Sequence, residues 1–160
     1  LIGHLQRNKV RPAVEYFEAI HSVDSLRLLE AIHQACDQSG RKINLLLEVN
    51  VSGESVKFGL KPEEVPGMLA RAQAMPRIEI TGLMTIPPLT EAPEGARPHF
   101  RALRTFRDQW QQESGVALPT LSMGMSHDLE VAVDEGSNLI RIGTAIFGPR
   151  PKRITTDEET

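Results

Sequence analysis

Cysteine is nearly missing from this chain. Cys36 stands alone among 160 residues, so no disulfide can form within the chain, and a reducing cytoplasm is the simplest home. Nothing obvious in the sequence lowers its pKa, so it reads as a small helix side chain and not as a reactive thiol. No apolar run approaches the roughly 18 residues needed to cross a bilayer, and the start lacks a signal-peptide layout. A soluble protein without a membrane partner is therefore expected. Excess positive charge is missing too: a net charge of −3 and a pI near 6.0 argue against a nucleic-acid footprint, which needs a basic face. The five histidines show no close ligand spacing, so no metal site is expected. Absent as well is an initiator Met. The chain opens Leu1-Ile-Gly-His-Leu, inside what reads as a strand, so part of the protein is expected to precede it.

What is present is an apolar content of 40%, ample for the core of one domain, read here as residues 1–150 with a polar tail at 151–160. Strands and helices alternate along it. Residues 2–6, 16–23, 43–51, 78–86, 120–125 and 139–147 read as strands. Between them, Asp24-Ser25 offers side-chain oxygens to start a helix that Gly40 stops. A second helix starts near Pro62 and tolerates Pro66 only in its first turn. A third carries Phe100, Leu103, Phe106 and Trp110 on one stripe, and a short one runs over 128–135. Alternation of this kind implies a parallel α/β sheet with right-handed crossovers. About six strands fit either a doubly wound sheet or part of an eight-stranded barrel. Polar and Gly residues gather at the strand C-termini, forming one ring of loops, and that favours the barrel.

The last third is the most informative stretch. Residues 121–126 read Leu-Ser-Met-Gly-Met-Ser and residues 141–148 read Arg-Ile-Gly-Thr-Ala-Ile-Phe-Gly. Small and hydroxyl residues at the ends of consecutive parallel strands let backbone N–H groups reach a bound phosphate. Ser126, Gly143 and Thr144 are the candidates for that cradle. Ser126 is expected to cap the following helix as well as face the phosphate, and for Gly143-Thr144 a tight turn is the structural alternative. Arg141 lies on an otherwise apolar strand and must have an anionic or polar partner, because an unpaired buried charge is very costly. Adjacent Ser126, His127 and Asp128 at a helix start cannot form a catalytic relay, which needs side chains brought together in space.

Five motifs together resemble the pyridoxal phosphate homeostasis protein family. They are residues 2–9 (Ile-Gly-His-Leu-Gln-Arg-Asn-Lys), 48–59 (Glu-Val-Asn-Val-Ser-Gly-Glu-Ser-Val-Lys-Phe-Gly), 82–87 (Gly-Leu-Met-Thr-Ile-Pro), 121–126 and 141–148. The resemblance implies a (β/α)8 TIM-type barrel of pyridoxal phosphate fold type III, like the N-terminal domain of alanine racemase, here lacking its first two strands. It implies pyridoxal 5'-phosphate as cofactor and a role in cofactor supply without established turnover. The Lys that forms the Schiff base in that family is expected upstream of Leu1, so neither Lys9 nor Lys57 inherits the role. In the related racemase barrel an Arg at the position of Arg141 meets the ring nitrogen; a salt bridge to an acid such as Glu48 is the alternative for this chain.

Asn50, with Gln6 and Asn8, could line the pocket or merely bond its own loop. Met123 is carried as a candidate wall of the site, although Met125, Met84 and Met123 itself suit core filling better. Three functions stay open: a cofactor carrier serving pyridoxal phosphate-dependent apoenzymes as a monomer or weak dimer, a racemase or lyase of the same barrel type, and a non-binding remnant. The only Tyr, Tyr16, is expected at a strand start and off the loop face, which favours the carrier.

Overall fold

A computed structural model describes residues 1–54 and 58–149. Lys57 and the tail at 151–160, on which expectations were placed, lie outside the described residues. Four strands make one sheet: β1 (Ala19–Val23), β2 (Ile43–Glu48), β3 (Ile78–Met84) and β4 (Thr120–Ser122). All pair in parallel, in the order β1-β2-β3-β4. A doubly wound sheet reverses its strand order at a switch point. A sheet whose spatial order follows its chain order does not; it curls round as a barrel does. The architecture is an α/β partial barrel.

The sheet continues past its named strands at both ends. The Leu1 backbone N donates to Ala19 O at 2.7 Å, and His21 N–H donates to Leu1 O at 2.8 Å. At the far edge Ser122 bridges Leu139 in parallel, and Arg141 N–H donates to Gly124 O at 3.0 Å. Among the described residues the four-stranded sheet is thus extended at each edge by one short adjoining segment.

Three strand expectations need correction here. Residues 2–6 leave the ladder after Leu1, because the Gly3 carbonyl takes the Ser22 hydroxyl at 2.6 Å in place of a backbone donor, and a 3-10 turn follows at Arg7–Lys9. The predicted strand at 16–23 begins only at Ala19; Tyr16 ends a helix, α1 (Val10–Tyr16), that the sequence reading missed, and its side chain is exposed. Its apolar residues Val10, Ala13 and Val14 sit at i, i+3 and i+4 and are buried, which is helical spacing in a segment too short to stand out. Last, residues 139–147 give one bridge and then a four-residue helix, α6 (Thr144–Phe147). The apolar run has only the three-residue β4 to pair with, and Ile146 and Phe147 stay largely exposed.

The other helices sit where the sequence puts them. In α2 (Leu26–Ser39) Ser25 accepts from Leu28 N–H, and Gly40 closes the helix at φ 73°, the left-handed region open to glycine. A 3-10 turn at Pro62–Glu64 leads into α3 (Val65–Gln73), with Pro66 in the first turn as required. The long α4 (Arg97–Ser114) buries Phe100, Leu103 and Trp110, and Phe106 stacks on Trp110 with ring centroids 5.0 Å apart. The short α5 (Leu129–Asp134) follows β4. Among the described residues no helix is long and apolar enough to cross a membrane.

Alternation along the strands divides the core from the site. In β2, Ile43, Leu45 and Leu47 join the hydrophobic core beneath the helices, as do Leu121 and Met123 around β4. Successive side chains point to opposite faces, so Glu48 and Ser122 face the other way, into the barrel. That interior holds buried polar groups: Ser122, Glu48 and Arg141.

Candidate functional site

Arg141 is the centre of the arrangement. It is 8% exposed, and its guanidinium points inward. Nη1 donates to Ser122 O at 2.7 Å and to Ser122 Oγ at 2.9 Å, and Nη2 donates to Thr85 O at 2.9 Å. Three of the five guanidinium N–H groups are thereby engaged, leaving Nε and one Nη2 hydrogen without a partner among the described residues. The alternative partner, Glu48, forms no ion pair within 4.0 Å among the described residues, although the two charges feel each other. Burial lowers the pKa of Arg141, opposed by the charges of Glu48 and Asp128. An Arg so placed stays cationic at neutral pH.

The cradle candidates meet Arg141 on one cavity. Ser126, Arg141, Gly143 and Thr144 line an open hollow of about 960 Å³, with Ile2 and Ile86 among its apolar walls. Ser126 does not cap α5, whose first turn has no side-chain cap. Its hydroxyl instead accepts Ala145 N–H at 3.1 Å, tying the turn before α5 to the start of α6 and leaving its own proton free to donate. The backbone N–H groups of Gly143 and Thr144 and the Thr144 hydroxyl carry no hydrogen bond among the described residues. A Cβ built on Gly143 would meet nothing within 4 Å, so the space above this backbone is open. Donors without partners among the described residues, on residues that line an open cavity beside a fixed cation, suit an anionic group.

Two other candidates lie elsewhere. Asn50 is committed to its own loop: Oδ1 accepts from Ser52 Oγ and Gly53 N–H, and Nδ2 donates to Glu54 O at 2.8 Å. Met123 is fully buried in the core cluster, on the helix side of the sheet. Ser126, His127 and Asp128 point to three separate partners, as their adjacency dictates. Asp128 Oδ1 accepts Met125 N–H at 2.7 Å and His127 Nε2 lies 3.1 Å from Thr90 O, while Ser126 bonds Ala145.

Sequence reasoning passed over the residues that hold Arg141. His21 Nδ1 lies 3.2 Å from Ser122 Oγ, and Thr85 Oγ1 donates to Val49 O at 2.8 Å. Burial, then the nearby charges of the first amino group and Arg141, lower the pKa of His21, keeping its ring neutral. Glu48 is shifted the other way, up to about 7, by burial and then by Asp24, which itself pairs with His4 at 3.1 Å. The available signal was at Ser122, a polar residue between Leu121 and Met123; His21, beside Ser22, carried no such alternation.

Comparison with known proteins gives a consistent result. The family model for the alanine racemase N-terminal domain matches residues 1–151. A curated Aquifex aeolicus protein named pyridoxal phosphate homeostasis protein is 46% identical over 149 residues, covering 93% of this chain and 65% of its own length. The protein of that name from Pseudomonas aeruginosa is 40% identical, covering 93% and 63%. The chain thus spans a little under two thirds of these curated relatives. PipY of Synechococcus elongatus, solved without pyridoxal phosphate, superposes with a TM-score of 0.87 at 40% identity, covering 92% of this chain and 69% of that one. The same protein with pyridoxal phosphate bound gives 0.84 at 38% identity, with the same coverage. Alanine racemase from Clostridium difficile, at 16% identity and a TM-score of 0.76 over 94% of this chain and 39% of that one, shares the fold.

Proposed function

We propose that this chain, which belongs to the alanine racemase N-terminal-domain family, binds pyridoxal 5'-phosphate by its anionic tail in the cavity beside Arg141. One observation carries the reading: Ser126, Gly143, Thr144 and Arg141 line one open space, and among the described residues the Ser126 hydroxyl proton, the N–H groups of Gly143 and Thr144 and two guanidinium N–H groups have no partner. When bound, the cofactor supplies an aldehyde and an electron-accepting ring. The chain supplies orientation. Ser126, Gly143 and Thr144 take the phosphate oxygens, and Arg141, held from below by Ser122 and Thr85, presents its remaining N–H groups to the ring nitrogen. A donor that cannot lose its proton keeps that nitrogen unprotonated, which weakens the electron sink and suits a protein that holds the cofactor. Asn50 and Met123 take no part in this arrangement.

The names of the relatives and the PipY structure with pyridoxal phosphate support a role in cofactor homeostasis. In this reading residues 1–150 are one partial barrel domain. The protein works in the cytoplasm as a monomer or weak dimer, releasing pyridoxal phosphate to apoenzymes that need it. Calorimetric titration with pyridoxal phosphate, pyridoxal and inorganic phosphate tests the site. Pyridoxal phosphate should bind, inorganic phosphate should compete with it, and pyridoxal should bind at least about tenfold more weakly, the loss of one or two charge-assisted hydrogen bonds. Equal binding of pyridoxal and its phosphate would refute the cradle. Sustained conversion of L-alanine to D-alanine would replace homeostasis by racemisation.

A further inference from the structure

We propose that His21 is a positioning residue for the cofactor site: acting through the Ser122 hydroxyl, it fixes the Arg141 guanidinium at its place beside the cavity. This rests on the functional reading above and deepens it, since Arg141 is the group that reading sets against the ring.

The direction of the hydrogen bonds carries the inference. Arg141 has only donors, so at 2.9 Å the Ser122 oxygen must accept from Nη1. The hydroxyl has a single proton, and Ser122 is completely buried, so that proton needs an acceptor inside the protein. His21 Nδ1, 3.2 Å away, is the acceptor in reach. A protonated Nδ1 would instead donate, leaving the hydroxyl with two donors aimed at it and its own proton stranded in a closed space. The arrangement is therefore one-way: Nη1–H to Ser122 Oγ, and Ser122 O–H to a bare Nδ1, with the ring proton on Nε2. His21 arrives from β1 and Arg141 from the opposite edge of the described sheet, so a bond between residues 101 apart spans the barrel interior. The neutral ring described above is the state this chain of donors requires.

His21 is not among the residues that line the cavity. It aims Ser122, and Ser122 aims Arg141. Without His21 the hydroxyl turns to whatever acceptor it can find, and the oxygen lone pair leaves Nη1.

Two measurements separate positioning from packing. The first needs no cofactor: in protein labelled with 15N at histidine, Nδ1 of His21 should give the shift of an unprotonated acceptor at neutral pH, and Ser122→Ala should move it. The second titrates pyridoxal phosphate into wild type, His21→Leu and His21→Asn. Asn places an acceptor near the position of Nδ1, whereas Leu fills the space without one. His21→Leu should weaken binding about three- to tenfold, the span of one hydrogen bond, and His21→Asn should stay within about twofold of wild type. A packing role predicts the reverse, with Leu tolerated better than Asn. A proton on Nδ1 at neutral pH, or an Asn variant as weak as Leu, overturns the proposal. No binding by wild type overturns the functional reading together with this extension, whereas binding without the His21 pattern overturns only the extension.

Discussion

Glu48 is a buried carboxyl without a hydrogen bond from any described side chain, and it should make the protein less stable as pH rises. It sits at the C-terminal end of β2, 7% exposed, with its pKa raised from 4.5 to about 7 by burial and by Asp24. A raised carboxyl means the folded state holds its proton more tightly than the unfolded chain. Between pH 4.5 and 7 the native protein binds more protons, so stability falls as pH climbs through that window and levels off above it. A rise from 4.5 to about 7, at about 1.4 kcal/mol per pH unit, corresponds to some 3 kcal/mol; water at the open barrel end screens part of it, so about 2 kcal/mol is expected. Glu48→Gln has the shape of the protonated acid and cannot ionise. Urea unfolding of both proteins from pH 4.5 to 8 should show the variant gaining about 2 kcal/mol over wild type as the pH rises, with most of the gain below pH 7.5. A difference that stays flat with pH, or that widens towards acid, would refute the assignment of a neutral carboxyl.

The opposite sign is expected at Glu135, whose side chain is 4% exposed and meets Arg97, Arg101 and Arg104 within 3.3 Å. Hydrogen bonding to Arg101, the leading cause, helps hold its pKa at about 2, so its contribution is complete above pH 4.5 and lost as pH falls towards 2. Acid unfolding followed by circular dichroism should begin at higher pH and lose steepness in Glu135→Gln. Gly82→Ala should be among the most damaging single changes, because a Cβ there would lie 2.1 Å from Thr120 O and force β3 from β4; a loss of about 3 kcal/mol or more in denaturant melts is expected. Arg141→Lys keeps the charge but not the fork, so it should cost about 2 kcal/mol of stability and weaken pyridoxal phosphate binding together, read by melting and calorimetry.

Much of the fold was legible because its signals are local. The caps at Ser25 and Gly40, the proline-led start of α3 and the stripe on α4 each follow from residues within a few positions of one another. Strand limits were not legible, since they depend on partners: 139–147 is apolar enough for a strand, but β4 offers it three residues. The same limit divides the site. Ser126, Gly143 and Thr144 could be named from the small and hydroxyl residues after two strands, and the structure gathers them on one cavity. Asn50 has the same composition-level credentials, yet its side chain closes a turn inside its own loop. His21 and Ser122 lie 101 positions apart, and nothing short of the barrel's curvature brings them together.

Arg141 shows why this corner of the barrel suits a charge. The ladder between β3 and β4 ends at the pair Met84 and Ser122, so the carbonyls of Thr85 and Ser122 stand at the point where regular pairing stops. Buried carbonyls need donors, and Thr85 N–H reaches only that of Ser122, at 3.2 Å. The guanidinium fork supplies the rest, taking both carbonyls and the Ser122 hydroxyl. A group with fewer donors could finish the ladder or serve a ligand, but not both. With five, Arg141 closes the sheet with three and keeps two N–H groups without a partner among the described residues. The cation is thus held by the same backbone groups that end the strands, and its position is fixed before any ligand arrives. A pocket built in this way does not have to order its charge when an anion enters, and under the proposed function that avoided reorganisation favours binding.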